Sequence, residues 1–173
     1  MVPALTIHDI QEYCRNRYDC DEKRIVAIII ARYNIPRCDQ MIKQNYNYWH
    51  YWTGKALDFY WLGYGAYYFP AQKGKYFVGD YGDEPNVYFD SNVFSEEVAK
   101  IESLANIHYD DTISVLLCNY SKGRIHLDES ALITIEPLMT DDNQYKLRDF
   151  TATLVRVCKK SSDVKNGNCS VHP

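Results

Sequence analysis

Hydrophobic residues recur at helical spacing along three segments of the chain. The first segment opens with a capping-box pattern, Thr6-x-x-Asp9, and predicts a helix from about Thr6 to Arg17. The second predicts a helix from about Asn92 to Ala105, and the third predicts one from about Asp142 to Lys160. In the third segment β-branched residues also favour a strand, but the helical period and the two closing lysines favour a helix.

Extended patterns separate these helices. Arg24–Arg32 is a β-branched run with charges only at its ends, which is typical of a central strand buried on both faces. Ala56–Tyr64 predicts a second strand, and a short helix is expected after Pro36, between the two strands. The segments Thr112–Tyr120 and Arg124–Ile135 are joined by a short glycine-containing link, which predicts an antiparallel hairpin.

Between the second strand and the second long helix, the chain is rich in aromatic residues but interrupted by glycine and proline. Ala66–Glu84 is predicted to be an excursion or loop with one short strand at Tyr76–Val78, followed by a stub strand at Val87–Phe89. We therefore treat residues 66–86 as an aromatic-rich insertion. Residues 161–173 are polar and are predicted to form a flexible C-terminal tail.

The predicted order is α, β, α, β, insertion, α, β, β, α. A parallel β-α-β half followed by an α-β-β-α half resembles the thioredoxin-like fold in topology, over about Arg24–Lys160. The resemblance implies one α/β domain over residues 1–160, with a mixed sheet of four or five strands, flanking helices, an N-terminal helix and the insertion. The redox dithiol of that fold would lie in Asn34–Asp39, where Cys38 stands alone. The activity of the fold therefore does not carry over.

Charge and hydropathy exclude several classes of partner. The net charge of −4 does not suit a general nucleic-acid binder or a protein that binds anionic membranes. The longest apolar run, Ile25–Ala31, is far shorter than the roughly 20 residues of a membrane-spanning helix. The N-terminal residues lack the pattern of a secretory signal peptide. We therefore expect a cytoplasmic protein that binds neither membranes nor nucleic acid in general.

The six cysteines are widely and irregularly spaced, and none forms a C-x-x-C pair. In a reducing compartment this pattern predicts free thiols. Only Cys14 and Cys20 lie close together, which is too little for a zinc site. We expect no bound metal and no cofactor.

Three titratable residues are candidates for catalysis. Cys38 would lie in the first turn of a helix beside Arg37, where the helix dipole and the neighbouring charge lower a thiol pKa. Asp58 falls within a strand predicted to be buried, and a buried carboxylate needs a partner such as His50 or Lys55. Packing of Cys38 and a structural salt bridge of Asp58 are the ordinary alternatives.

The segment 46–81 contains most of the aromatic residues, including all three tryptophans. Strand alternation assigns Leu57, Phe59 and Trp61 to the core. Six rings outside the clear strand are candidate binding residues: Tyr48, Trp49, Tyr51, Trp52, Tyr67 and Tyr68. Exposed tyrosine and tryptophan side chains are typical of interfaces.

The main hypothesis from the sequence is a non-enzymatic interaction or regulatory module. It would bind a protein partner, a second copy of the chain or a small ligand through residues 46–81. The alternative is a thiol-dependent or acid/base enzyme centred on Cys38 or on Asp58 and His50. A structural subunit whose aromatic surface forms an oligomer interface is the third reading.

Overall fold

The computed structural model describes residues 2–33, 57–66, 73–81, 84–138 and 148–158. Its elements are, in chain order, β1 (Val2–Ala4), α1 (Ile7–Arg17), β2 (Arg24–Ile30), β3 (Asp58–Leu62), β4 (Tyr64–Ala66), β5 (Lys75–Tyr81), β6 (Glu84–Asp90), α2 (Ser91–Ala105), β7 (Ser114–Ser121) and β8 (Arg124–Thr134). A short 3-10 helix follows at Glu136–Leu138, and residues 148–158 are helical. The expected helix after Pro36, the ends of the last helix and the C-terminal tail lie outside the described residues.

A five-stranded mixed sheet forms the larger layer, in the order β1-β3-β2-β7-β8. Strands β1, β3 and β2 run parallel, whereas β7 runs antiparallel to β2 and β8 antiparallel to β7. This confirms the predicted α/β class, the central position of the apolar strand β2 and the β7–β8 hairpin. The edge strand β1 was not predicted, because three residues are too few to show a periodic pattern.

The apolar run of β2 is central because the sheet continues on both sides of it. Ala27 lies between Phe59 of β3 and Leu117 of β7 in register. Residues 26–30 are all buried, as expected for a strand with elements on both faces. One face is covered by α1, whose Cys14 side chain contacts Tyr60 of β3. Burial of these branched side chains supplies the main stabilising contribution of the core.

The described part of the region predicted as a loop forms a second sheet, in which β4, β6 and β5 are antiparallel neighbours in that order. The short strands predicted at Tyr76–Val78 and Val87–Phe89 lie within β5 and β6, but both strands are longer than expected, and their pairing into a sheet with β4 was not predicted. The glycines that read as interruptions lie at junctions of this sheet. Gly63, with a φ of 82°, separates β3 from β4, and Gly74, with a φ of 87°, precedes β5. The segment predicted as one strand, 56–64, is therefore divided at Gly63.

Both described helices with assigned ends begin at a side-chain cap. Thr6 and Asp9 form the predicted capping box of α1, with reciprocal hydrogen bonds. Asp90 caps α2 by accepting hydrogen bonds from the next two backbone N–H groups. The start of α1 contacts α2, where the buried carboxylate of Glu97 accepts a hydrogen bond of 2.9 Å from the backbone N–H of Ile7.

Candidate functional site

Asp58 is the one candidate catalytic residue within the described part of the chain. It is the first residue of β3 and lies beside Val26 of β2 in register. Its side chain is 12% exposed, and its Oδ1 lies 3.3 Å from Nη1 of Arg17 near the end of α1. Its other oxygen, Oδ2, is buried and has no hydrogen-bond partner among the described residues. Burial raises the pKa of the Asp58 carboxyl, and the Arg17 charge opposes the shift without cancelling it.

A thiol and a phenol on the same face of the sheet complete this cluster. Cys14 Sγ lies 3.6 Å from Tyr60 Oη, and both side chains are buried. Burial raises the pKa of the Cys14 thiol to about 11 and raises the pKa of the Tyr60 phenol as well. Tyr13 stacks on the Tyr60 ring at a centroid distance of 6.3 Å. Cys14 and Tyr60 are therefore neutral at physiological pH, and the thiol is a poor nucleophile.

The structure shows a partner of Asp58 that the sequence did not indicate, Arg17. His50 and Lys55, which were expected as partners, lie outside the described residues. Arg17 is brought to Asp58 because α1 packs across the beginning of β3, a tertiary arrangement that local spacing does not reveal. Chemically, the cluster offers one unpaired carboxylate oxygen capable of accepting a hydrogen bond or a proton.

A second feature is a row of residues across one face of the small sheet. Gly65, Tyr88 and Phe77 are neighbours in register on strands β4, β6 and β5. Leu5 covers the β4 end of this row, and a Cβ placed on Gly65 would lie 2.7 Å from Leu5 Cγ. Toward β5 the row becomes open, and Phe77 is 54% exposed.

Aromatic contacts hold the open end of this row in place. The rings of Phe77 and Tyr88 meet edge to face at a centroid distance of 5.3 Å. The preceding residue of β5, Tyr76, is paired in register with Phe89 and is 45% exposed. We call Tyr76, Phe77 and Tyr88 the aromatic edge. The sequence placed Tyr76 and Phe77 in the segment 46–81 and in the predicted short strand Tyr76–Val78, but did not single them out for binding, because a local pattern does not show which strand residues stay exposed.

The remaining site candidates lie outside the described residues. They are Cys38, His50, Tyr48, Trp49, Tyr51, Trp52, Tyr67 and Tyr68. Trp61, assigned to the core from the sequence, is 2% exposed. Among the cysteines that the structure describes, Cys14, Cys20 and Cys118 are free thiols.

Among the described residues, no group of three or more His, Cys, Asp or Glu side chains is arranged to hold a metal ion. None of their helices combines the length and apolar character needed to cross a membrane.

Comparison of the chain with protein-family models, with curated proteins and with solved structures finds no match. The resemblance to the thioredoxin-like fold therefore rests on topology alone. The class that the fold defines is a mixed α/β protein with a second, antiparallel sheet.

Proposed function

We propose that this chain is a non-enzymatic interaction module that binds a partner protein through its aromatic-rich segment, residues 46–81. The observation that carries the proposal is the aromatic edge. Phe77 stands 54% exposed at the end of an ordered row of residues. Tyrosine and phenylalanine rings bury large areas at little entropic cost, which makes them common anchors of protein interfaces.

The same proposal assigns Tyr48, Trp49, Tyr51, Trp52, Tyr67 and Tyr68 to the binding surface, on their sequence alone. A protein partner or a second copy of the chain fits a broad aromatic surface better than a small ligand, which binds in concave sites. The module would act in the cytoplasm, where the free thiols stay reduced.

The test compares two exposed apolar residues in different parts of the molecule. Phe77→Ala removes the exposed ring of the aromatic edge, and Leu104→Ala removes a side chain that is 61% exposed on α2. The partner is first captured from native lysate with the unmodified chain, identified, purified and titrated against each variant. If Phe77 anchors the interface, Phe77→Ala weakens binding by about 2 kcal/mol, roughly 30-fold, while Leu104→Ala leaves it unchanged.

Melting curves separate binding from folding in a second set of variants. Trp49→Ala and Trp52→Ala are expected to stay folded but lose the partner. Trp61→Ala is expected to lose about 3–5 kcal/mol of folding stability, because it empties a buried ring site. Equal, large drops in melting temperature for all three tryptophan variants would contradict the proposal.

The alternative function is a thiol-dependent or acid/base enzyme centred on Cys38 or on Asp58 and His50. The unpaired Oδ2 of Asp58 favours it, because a half-buried carboxyl with a raised pKa suits proton transfer.

Thiol reactivity distinguishes the enzyme from the binding module. Burial raises the pKa of Cys14 to about 11 and that of Cys118 to about 12, so both thiols should react slowly at pH 6. If the chain is a binding module, Cys38 should show no special reactivity in a mass-spectrometric alkylation time course. Alkylation of Cys38 far faster than that of Cys14 and Cys118 would instead support the enzyme.

A further inference from the structure

The two edges of the large sheet differ in how they are protected against pairing with another strand. Edge strand β1 is short, Val2–Ala4, and contains Pro3, two features that block strand addition. Edge strand β8 extends over Arg124–Thr134 and, within the described part of the chain, pairs only with β7. The β8 edge is therefore the more accessible of the two for an added strand.

Protection of β8 is confined to its first half. The register jumps there, because Asn119 pairs with His126 while the preceding Cys118 pairs with Ser130, which leaves residues 127–129 as a bulge. Charged side chains and bulges are the usual means of blocking an edge. The second half, Ser130–Thr134, pairs regularly with β7 and contains no charge, proline or glycine. In this half Ala131 and Thr134 are exposed.

Acidic side chains flank the uncharged half on both sides. Asp128 and Glu129 precede it and are exposed, and Glu136 follows it, half-buried, with its Oε2 accepting a hydrogen bond from the Ile113 N–H. An added strand would therefore meet an uncharged centre between two negative ends. The electrostatic complement is an extended segment of about five uncharged, β-prone residues with lysine or arginine at both ends.

The same charges disfavour a second copy of this chain. The β8 strand of a second copy would bring its own Asp128 and Glu129, so its flanks would repel rather than complement the acidic residues beside residues 130–134.

We propose that residues 130–134 of β8 bind an extended, basic-flanked segment of a partner protein by strand addition. This surface is separate from the aromatic edge, which belongs to the other sheet. Backbone hydrogen bonds along residues 130–134 would supply affinity, and the acidic flanks would select the charge of the partner.

The test uses the full chain and a labelled peptide, Lys-Lys-Val-Thr-Val-Thr-Val-Lys-Lys, with uncharged termini. A matched peptide in which every lysine is glutamate serves as the charge control. Fluorescence anisotropy should show binding of the basic peptide, weakening as salt is added, and no binding of the acidic peptide. Amide hydrogen exchange of the unmodified chain should slow within residues 130–134 when the basic peptide is present.

Two charge reversals test the flanks. Asp128→Lys should weaken binding of the basic peptide about fivefold, because an attractive pair becomes a repulsive one. Asp149→Lys makes the same change at an exposed acid in the helical residues 148–158 and should leave binding unchanged. Phe77→Ala should also leave peptide binding unchanged. Peptide binding at β8 can therefore be confirmed even if the proposed aromatic interface proves wrong.

Three results would overturn the assignment. One is equal binding, or equal absence of binding, of the basic and acidic peptides. Another is protection of amides elsewhere than in residues 130–134. The third is self-association that protects residues 130–134 without peptide, which would make a second copy the occupant.

Discussion

Burial of the Asp58 carboxyl makes the stability of the protein depend on pH in an unusual direction. Its pKa in the folded state is raised above the value of about 3.9 in an unfolded chain. Above the raised pKa the carboxylate is charged in both states, and the folded state carries the cost of its burial. As the pH falls through the raised pKa toward about 3.9, the folded state binds the proton first and gains stability from this residue.

Asp58→Asn should therefore stabilise the protein at pH 7, by about 1 kcal/mol. The folding stability gained by removing a buried charge exceeds the stability lost with the Arg17 ion pair. The Arg17 side chain is 49% exposed, and ion pairs at exposed side chains contribute little to stability. The difference from the unmodified chain should shrink as the pH is lowered from 7 toward about 3.9, the pKa in an unfolded chain. Urea unfolding at pH 7 and at lower pH measures this difference, with Asp149→Asn as the exposed control. A loss of stability at pH 7 would show that the Arg17 pair dominates.

The contacts of individual residues could be predicted from the sequence where both partners lie close together along the chain. The capping box of Thr6 and Asp9 follows from spacing alone, because both partners belong to one helical turn. Glu97 was missed: its charge suggests a solvent-facing position, yet it is 4% exposed. Its burial depends on the backbone N–H of Ile7, which only the packing of α1 against α2 brings near. The pairing of Arg17 with Asp58 was missed for the same reason.

At the scale of elements, the chain passes directly from β3 in the large sheet to β4 in the small one at Gly63. The Gly63 N–H donates to the Leu5 carbonyl, and the Gly63 carbonyl accepts from the Asp90 N–H. Its φ of 82° favours glycine, and a Cβ there would lie 2.8 Å from Phe94 Cβ. One residue thus joins both sheets and the start of α2 without room for a side chain.

Gly63→Ala should consequently destabilise the protein by more than backbone strain alone would. Gly123→Ala is the matched control, since Gly123 also has a positive φ, 70°, but its nearest neighbour would be Arg15 Nε at 3.9 Å. The strain common to both is about 1–2 kcal/mol. The clash with Phe94 should add about 1–3 kcal/mol at Gly63 only. Equal losses of unfolding free energy in chemical denaturation would show that Phe94 shifts away at little cost.

Element prediction from the sequence was correct for long, regular patterns and incomplete for the small sheet, of which it found only the central parts of β5 and β6. Strand β2, helix α2 and the β7–β8 hairpin each carry a sustained period, and the structure contains all three. The small sheet lacks such a period. Its β5 strand pairs with β6 through register shifts at Gly79 and Tyr81, so alternation along β5 is interrupted. Glycines that normally indicate loops here permit the bulge and the turns.

At the scale of the whole molecule, the two proposed surfaces belong to different sheets. The aromatic edge lies on the small sheet, and the open part of β8 lies at one end of the large sheet. Neither position could be predicted from the sequence, because the strand order decides which strands are edges. The sequence indicated that aromatic residues are concentrated, and the structure shows that some of them are exposed on an ordered strand.

The position of β1 in the sheet has a consequence for the kinetics of folding. Its three residues pair with residues 60–62, across a long stretch of intervening chain. The β7–β8 hairpin, by contrast, closes over a two-residue turn at Lys122 and Gly123. Contacts distant in sequence require a larger loss of chain entropy before they form, so the hairpin can assemble early and β1 late. During synthesis, β1 would thus remain unpaired until β3 leaves the ribosome.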